Sequence, residues 1–289
     1  MSCNANNPCA GYYGKCLDVK ITNKCNGKCS FCIEKGGLIT ESVPVEELIA
    51  GTNILKEYQK VLILGGEPFL YPHLEDYIEG IKDKQEIYIT TNGSLFGIRD
   101  IKRMAKHLTA VNISIHHFSE AINSDIVGTS VSFNDISQAV SIFKKYGVGI
   151  RINTNLVKRG IDSYGKTKIM VKLAHDLGAD GIRFAELQNC PGMYVAAEHI
   201  FGDDIHRNPY CEGCEQTLKS DYCDVDVKLR LTCGIVNPVK DIPQPIEENK
   251  SETKVMYPNS KVASGWVEDT HSCHGRIDSS SGCHGRGHY

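Results

Sequence analysis

Short apolar runs alternate with amphipathic stretches between about residues 17 and 187. The apolar runs predict six strands, at 17–22, 60–64, 86–90, 111–115, 148–155 and 181–187. The stretches between them predict five helices, at 45–58, 73–82, 98–107, 133–146 and 164–177. Strands that alternate with helices of this length indicate βαβ units and a parallel sheet. This pattern alone fits either an open, partial barrel or a doubly wound sheet.

The pattern changes after Glu186. Residues 189–224 contain several prolines and glycines and four cysteines, with little periodicity. Alternation over 224–232 predicts one more strand, and the four prolines of 237–260 are typical of a linker or of a surface-wrapping segment. We therefore expect four regions: an N-terminal extension at 1–16, a core at 17–188, a cysteine-rich region at 189–240, and a wrapping or flexible tail at 241–289.

Composition narrows the class of protein. The 289 residues carry a formal charge of −3 without a basic stripe, which does not favour nucleic acid held through phosphate contacts. No apolar run approaches the roughly 18 residues of a membrane span, and the N-terminus lacks the apolar stretch of a secretory signal. Thirteen cysteines are an odd number, and such a chain is too long for a disulfide miniprotein. We expect a cytoplasmic metalloprotein.

Three cysteines follow the first predicted strand in the segment CNGKCSFC, residues 25–32. Thiolates suit iron–sulfur clusters, and three of them can hold a cubane while one iron stays open for another ligand. Gly27 favours so tight a loop. The alternative for Cys25, Cys29 and Cys32 is a zinc knuckle or a cluster without catalytic function.

Polar motifs end the later predicted strands. GGEP at residues 65–68 ends the second strand, and its paired glycines allow the backbone to approach a ligand, while Glu67 is suited to bind an ammonium group. The alternative is a plain strand-to-helix turn. TTNG ends the third strand, and the next three end in NISIH, RINTN and RFAEL. Because parallel strands build sites at their C-terminal ends, these groups are expected along one edge.

The cysteine spacing, with Phe31 before the third cysteine, and the order of the later motifs resemble the radical S-adenosylmethionine (SAM) superfamily over about residues 17–187. The fifth and sixth strands resemble those of the GTP 3′,8-cyclase of molybdenum cofactor biosynthesis. The resemblance implies an α/β fold, namely a partial (β/α)6 barrel that is similar to part of the triosephosphate isomerase barrel. It also implies a cysteine-rich C-terminal extension in this chain. It also implies an oxygen-sensitive [4Fe–4S] cluster on Cys25, Cys29 and Cys32. The SAM contacts that it implies are Gly65, Gly66, Glu67, Pro68, Thr91, Asn92, Ser114 and Asn153.

In this family one electron breaks a carbon–sulfur bond of SAM, and the resulting 5′-deoxyadenosyl radical takes hydrogen from a substrate. The resemblance therefore implies an enzyme with an electron donor such as flavodoxin or ferredoxin. His116 and His117 follow the fourth strand, where many relatives have an aspartate. The candidates for substrate binding are His116, Arg151, Arg183 and Glu186; each is alternatively a solvated or salt-bridged group.

The other cysteines raise the possibility of a second metal site. Relatives with a SPASM or twitch extension hold an auxiliary iron–sulfur cluster there, which implies Cys211, Cys214 and Cys233 as ligands, with Cys190 or Cys223 as a fourth. The alternative is structural zinc. Cys3, Cys9 and Cys16 are unpaired thiols or an extra ligand, and a thiol near the site could return hydrogen to a substrate radical. The tail residues Cys273, His274, Cys283 and His284 form a zinc site or belong to a disordered end.

Three functions fit these observations. The first is a radical SAM enzyme for a small polar substrate, namely a sugar, a nucleotide or an amino-acid-like metabolite. The second is a radical SAM enzyme that modifies a peptide or protein, and the third is a non-catalytic zinc- or cluster-binding protein. About 16 residues precede the first strand, too few for a leader-binding winged helix, which favours the first. The cyclase family ends in a double glycine and this chain in Gly287-His288-Tyr289, so we expect a different enzyme.

Overall fold

The computed structural model of the protein describes residues 15–32, 34, 39–187, 190–202, 205, 215–231 and 254–264. These ranges contain ten strands: β1 Cys16–Thr22, β2 Lys60–Gly65, β3 Glu86–Thr91, β4 Ala110–Ser114, β5 Gly149–Leu156, β6 Gly181–Glu186, β7 Glu215–Leu218, β8 Asp226–Arg230, β9 Lys254–Met256 and β10 Val262–Ala263. The seven α-helices are α1 Val45–Ile54, α2 Leu74–Gly80, α3 Ile101–Ala105, α4 Glu120–Val127, α5 Phe133–Lys145, α6 Tyr164–Asp176 and α7 Ala197–Phe201 in these ranges.

The strands form one sheet in the order β10-β9-β1-β2-β3-β4-β5-β6-β8-β7. Strands β1 to β6 are parallel, and β8 continues the parallel run beside β6. The described strands do not close into a full barrel, because β10 and β7 each have one neighbour, to which they run antiparallel. The predicted α/β partial barrel is therefore confirmed.

Alternation along the strands separates a core from an inner face. Leu17, Val19 and Ile21 of β1 are fully buried in the apolar core that the helices cover. Burial of such a side chain stabilises the fold by about 1.5–3 kcal/mol. Successive strand residues point to opposite faces, so the intervening positions form the other face. We call it the inner face; its members include Lys20, Tyr88, Asn112, Arg151, Arg183 and Lys228.

The helices begin and end where local chemistry predicts. Ser132 caps the start of helix α5, because its hydroxyl accepts a hydrogen bond from the Asp135 amide at 3.2 Å. Helix α4 stops at Gly128, whose positive φ of 73° suits a residue without Cβ. Among the described residues, no helix has the length and apolar character needed to span a bilayer.

Residues 254–264, here called the C-terminal strap, lie in and beyond the segment predicted as linker-like or wrapping. Strand β9 of the strap pairs in parallel with β1, with Leu17 opposite Lys254. The strap also covers α1, since the Val43 amide donates to the Pro258 carbonyl at 3.0 Å and Met256 is fully buried. At the opposite edge, β7 and β8 continue the main sheet. The four predicted region boundaries remain a prediction.

Candidate functional site

The loops that follow strands β1 to β6 meet at the C-terminal edge of the parallel sheet. We call residues 25–32, in the connection between β1 and α1, the cysteine loop. Its neighbours across the edge are the GGEP turn after β2, the TNG turn after β3 and the residues after α4. Each neighbour contacts the loop or its approach through hydrogen bonds of the backbone or of polar side chains.

The two glycines of GGEP bring β2 against the segment that leads into the cysteine loop. The Gly66 amide donates to the Thr22 carbonyl at 2.9 Å, and the Glu67 amide donates to the Lys24 carbonyl at 2.8 Å. A Cβ on Gly66 would lie 2.1 Å from the Lys24 oxygen, and Gly65 has a φ of 139°. The glycines thus permit close contact between two backbone segments, whereas the sequence suggested an approach to a ligand.

Glu67 is buried beneath this contact and links β2 to β3. Its carboxylate accepts hydrogen bonds from the Phe69 amide at 3.0 Å, the Thr91 hydroxyl at 2.7 Å and the Asn92 amide at 2.8 Å. Burial raises the pKa of Glu67, and the three hydrogen bonds act in the opposite direction. The side chain therefore holds two strand ends together.

Asn92 continues this network into the cysteine loop. Its side-chain NH₂ donates to Oδ1 of Asn26 at 3.0 Å, and the Asn26 NH₂ donates to the Ser94 hydroxyl at 2.9 Å. On the other side of the loop, the Lys28 amide donates to the Val127 carbonyl at 2.7 Å. The cysteine loop is thus held between the TNG turn and the end of α4.

The three cysteines of this loop differ in exposure and in polar contacts. Cys25 is exposed, and its Sγ accepts a hydrogen bond from the Gly27 amide at 3.2 Å. Burial of part of its surface raises the pKa of Cys25; the Gly27 bond lowers it, and the negative charges of Glu67 and Cys32 raise it. Cys29 and Cys32 are half-buried, with the Cys29 thiol 3.6 Å from the Val127 carbonyl.

The donor chemistry of the loop fits an iron–sulfur cluster. Within the described ranges, no three histidine, cysteine or carboxylate side chains converge on one ion. Three thiolates on one cubane bind three different irons, so they need not converge on one point. Glu34 follows the loop, and its carboxylate pairs with the buried Lys20 of β1 at 2.7 Å, which fixes the position of Glu34, two residues after Cys32.

The ends of β4 and β5 contribute Ser114, His116 and Asn153. Ser114 and Asn153 are partners in register, and Asn153 Oδ1 is buried with no hydrogen-bond partner among the described residues. Such an orphaned acceptor fits a site that binds a polar molecule. His116 is buried, accepts from the Asn155 amide at 3.2 Å and contacts Phe31 edge-to-face at 5.0 Å. Burial lowers its pKa to about 4, so the ring is neutral at pH 7.

The other predicted substrate-binding residues lie apart from this edge or have structural contacts. Arg151 and Arg183 lie on the inner face, and Nη1 of Arg183 is 3.9 Å from Oε2 of Glu215. Glu186 is buried and accepts from the Tyr194 hydroxyl at 2.9 Å and the Ala197 amide at 2.8 Å, at the start of α7. A direct contact of Glu186 with substrate remains a prediction.

The later cysteines are separated. Cys190 packs against the apolar cluster of Phe31, Val157 and Leu187 at the C-terminal edge of the sheet. Cys223 is exposed in the connection between β7 and β8, at the end where β8 begins, and hence at the opposite edge. Cys190 and Cys223, the two alternatives for the fourth ligand, thus lie at opposite edges of the sheet, and the choice between them remains a prediction. The predicted ligands Cys211, Cys214 and Cys233 lie outside the described residues, as do Cys3, Cys9, Cys273, His274, Cys283 and His284.

Comparison with known proteins identifies the domain that builds this edge. Residues 19–162 match the model of a family described as the radical SAM superfamily. The match contains the cysteine loop, GGEP, TNG and the ends of β4 and β5. It confirms the predicted resemblance, and a radical SAM domain implies a [4Fe–4S] cluster and SAM.

Two relatives with known names are enzymes. GTP 3′,8-cyclase of Aquifex aeolicus (strain VF5) is 29% identical over 159 residues, which is 50% of this chain and 48% of the relative. The S-adenosylmethionine-dependent nucleotide dehydratase of Thermoplasmatales archaeon (strain ISO4-H5) is 27% identical over 146 residues, covering 49% of this chain and 52% of the relative. The chain thus spans about half the length of these relatives. They support the predicted enzyme class.

A solved structure has a similar fold. Streptococcus suis SuiB bound to its precursor peptide SuiA aligns with a TM-score of 0.53 at 21% identity, over 62% of this chain and 41% of SuiB. At this identity the similarity concerns the fold alone.

Proposed function

Because residues 19–162 form a radical SAM domain, we propose that the protein is an enzyme that binds a [4Fe–4S] cluster on Cys25, Cys29 and Cys32. The observation that carries the proposal is the placement of these cysteines. Their loop is docked between the TNG turn and the end of α4, beside GGEP, at the C-terminal edge where parallel α/β proteins bind ligands.

The bound cluster and SAM supply one-electron cleavage of a carbon–sulfur bond, which yields methionine and a 5′-deoxyadenosyl radical that takes hydrogen from the substrate. The chain positions the reactants. Asn26 and Lys28 fix the cysteine loop, the buried acceptor of Asn153 offers a polar contact, and neutral His116 with Phe31 forms an apolar wall that limits water. Gly65, Gly66, Pro68, Thr91 and Ser114 complete the proposed SAM contacts through their backbone or hydroxyl groups.

For the substrate we propose a small polar metabolite. The similarity to a GTP cyclase and a nucleotide dehydratase supports a small molecule, since both names specify nucleotides. A peptide substrate is the second candidate, because SuiB with its bound precursor peptide shares the fold. An auxiliary cluster on Cys211, Cys214 and Cys233, and reduction by flavodoxin or ferredoxin in the cytoplasm, complete the proposal.

The test is anaerobic reconstitution of the full chain with iron and sulfide, followed by reduction and addition of SAM. We expect brown protein, an electron paramagnetic resonance signal that changes when SAM is added, and 5′-deoxyadenosine detected by mass spectrometry. The Cys25→Ala variant should lose SAM cleavage. Deuterium transfer from candidate substrates into 5′-deoxyadenosine would then identify the substrate and the carbon attacked.

Cys16→Ala is the matched control. Cys16 lies on β1 at the end opposite the cysteine loop, and burial raises the pKa of its thiol to about 12, so it is a neutral thiol. This control should cleave SAM as the wild type does. A colourless protein that binds zinc and makes no 5′-deoxyadenosine would contradict the enzyme function, and SAM cleavage by Cys25→Ala would contradict the cluster assignment.

A further inference from the structure

The chain crosses the C-terminal edge of the sheet again after β6. Residues 190–197, here called the crossing segment, run antiparallel to the chain that leaves β5. Tyr194 forms an antiparallel bridge with Val157. The Lys158 amide donates to the Met193 carbonyl at 3.0 Å. The crossing segment therefore lies at the edge where the cysteine loop is docked, and its backbone is fixed there.

A buried carboxylate anchors the crossing segment. Glu186, the last residue of β6, accepts hydrogen bonds on Oε1 from the Tyr194 hydroxyl at 2.9 Å and from the Ala197 amide at 2.8 Å. The Glu186 residue is only 4% exposed, and a carboxylate so far from water needs such donors. One side chain of the sheet thus fixes the second half of the crossing segment.

Met193 is the residue through which the crossing segment contacts the cysteine loop. The Ser30 hydroxyl donates to the Met193 sulfur at 3.1 Å. The half-buried Met193 side chain also packs against the apolar cluster that contains Phe31, as Cys29 does. A thioether is a weak acceptor on a flexible side chain, so its position depends on the backbone bonds that hold Met193. The contact therefore transmits the fixed position of the crossing segment to the loop.

The contact with Met193 lies in the second half of the cysteine loop. The first half is held by the hydrogen bonds of Asn26 and Lys28 to the TNG turn and to the end of α4. Ser30 stands between Cys29 and Cys32. The position of Ser30 therefore influences where two of the three thiolates lie.

We propose that Met193 is a positioning residue for the cysteine loop, and that the crossing segment, anchored by Glu186, covers this side of the loop and slows the loss of the bound cluster. The proposal rests on the proposed function and adds to the cluster site a part of the chain outside residues 19–162. Solvent exposure and the groups around the ligands influence the reduction potential of an iron–sulfur cluster. A covered cluster is also reached less often by oxygen and water.

Hydrogen exchange of the iron-free full chain tests the contact itself. Met193→Ala removes both the acceptor of Ser30 and the apolar contact. The peptide that spans residues 28–32 should then exchange about fivefold faster, as expected for the loss of one hydrogen bond. Met193→Leu keeps the apolar volume but not the acceptor, and its exchange should lie between wild type and Met193→Ala. Unchanged exchange in Met193→Ala would overturn the inference.

Anaerobically reconstituted protein tests the effect on the cluster. On exposure to air, the cluster absorbance of Met193→Ala should decay about fivefold faster than that of wild type, because the cover opens more often by that factor. Met193→Leu should decay at a rate closer to wild type, since it keeps the side-chain volume. Tyr194→Phe removes one hydroxyl from the anchor and should accelerate the decay in the same direction.

Leu173→Ala is the matched control, because Leu173 is a half-buried aliphatic residue near the end of α6, which leads back to the N-terminal edge of the sheet. It should leave loop exchange and cluster decay as in wild type, and urea unfolding measures the global stability of each variant. The same acceleration in Leu173→Ala and Met193→Ala would overturn the inference. A brown protein whose decay is unaltered in Met193→Ala overturns this inference alone, whereas a chain that binds no cluster overturns the proposed function as well.

Discussion

The side-chain amides of Asn26 and Asn92 are joined by a hydrogen bond of 3.0 Å, which ties the cysteine loop to the end of β3. Asn92 is itself held by the Glu67 carboxylate, and Asn26 by Ser94. The bond therefore connects three segments that are far apart in sequence. It fixes the orientation of the loop relative to the sheet.

The effects of replacing Asn26 and Asn92 on the free energy of unfolding should not be additive. Asn26→Ala and Asn92→Ala should each destabilise the fold, and a double-mutant cycle should give a coupling of about 1 kcal/mol, as expected for one hydrogen bond. Urea unfolding of the three variants measures it. Asn53→Ala, which removes a bond of 2.9 Å to the Gly80 carbonyl elsewhere, should show no coupling to Asn92→Ala. Additive effects of Asn26→Ala and Asn92→Ala would show that the hydrogen bond between these two side chains does not stabilise the fold.

Gly66→Ala should be among the most damaging small substitutions in the chain. Its Cβ would lie 2.1 Å from the Lys24 oxygen, so the backbone that leads into the cysteine loop must move. We expect a loss of more than about 3 kcal/mol and loss of iron binding, measured by unfolding and by iron content. At Gly165 in α6 nothing lies within 4 Å of the added methyl, so Gly165→Ala should be neutral or stabilise by up to about 1 kcal/mol. Similar effects at both positions would contradict this prediction.

Glu67→Gln should destabilise the protein although it preserves side-chain shape. Three donors point at the Glu67 carboxylate, and a carboxamide would place its own NH₂ against one of them. An unsatisfied buried donor costs about 1–3 kcal/mol, so we expect a loss in that range by urea unfolding. At the half-exposed Glu86, which pairs with Lys60, the same change should cost less than about 1 kcal/mol. Equal losses would show that Glu67 does not organise the strand ends.

His116 should make the folded protein less stable in acid. The unfolded chain takes up a proton at His116 as the pH falls through 6.5, whereas burial holds the folded pKa at about 4. The unfolded state thus binds more protons in this window, and up to about 3 kcal/mol of unfolding free energy should be lost between pH 6.5 and 4. Unfolding of wild type and His116→Gln across this range measures the difference. If the unfolding free energies of wild type and His116→Gln change with pH in the same way, the low pKa of His116 in the folded protein is contradicted.

The sequence predicted the repeating part of the fold well, since all six core strands and five helices are present. Helix α4 was missed because one of its two buried residues is the polar Asn123, and α7 was missed because it lies in a stretch with little periodicity. Strands β9 and β10 were missed for a different reason. Strand β9 has three residues within the proline-rich stretch and pairs with β1, and β10 has two residues beyond that stretch and pairs with β9. The local pattern contains neither of these contacts.

At the candidate site, the motifs were found but the contacts of several members were not. Glu67 and Asn92 were expected to contact a ligand, and the structure shows their polar atoms bonded to neighbouring segments. Asn26 was not singled out at all. Its position between Cys25 and Gly27 carries no signal of its own, because its partners Asn92 and Ser94 lie more than sixty residues away in the chain.

The C-terminal strap has a consequence for how the protein is made. Strand β1 is among the first described segments to leave the ribosome, and its partner β9 is among the last. Pairing β9 with β1 closes a long loop of chain, and the entropy lost on closure slows this step. The edge of β1 that β9 covers therefore stays open to other strands during most of synthesis. An uncovered strand edge is a template for pairing between chains. Nascent chains therefore pass through a period of vulnerability to aggregation that ends when the strap docks.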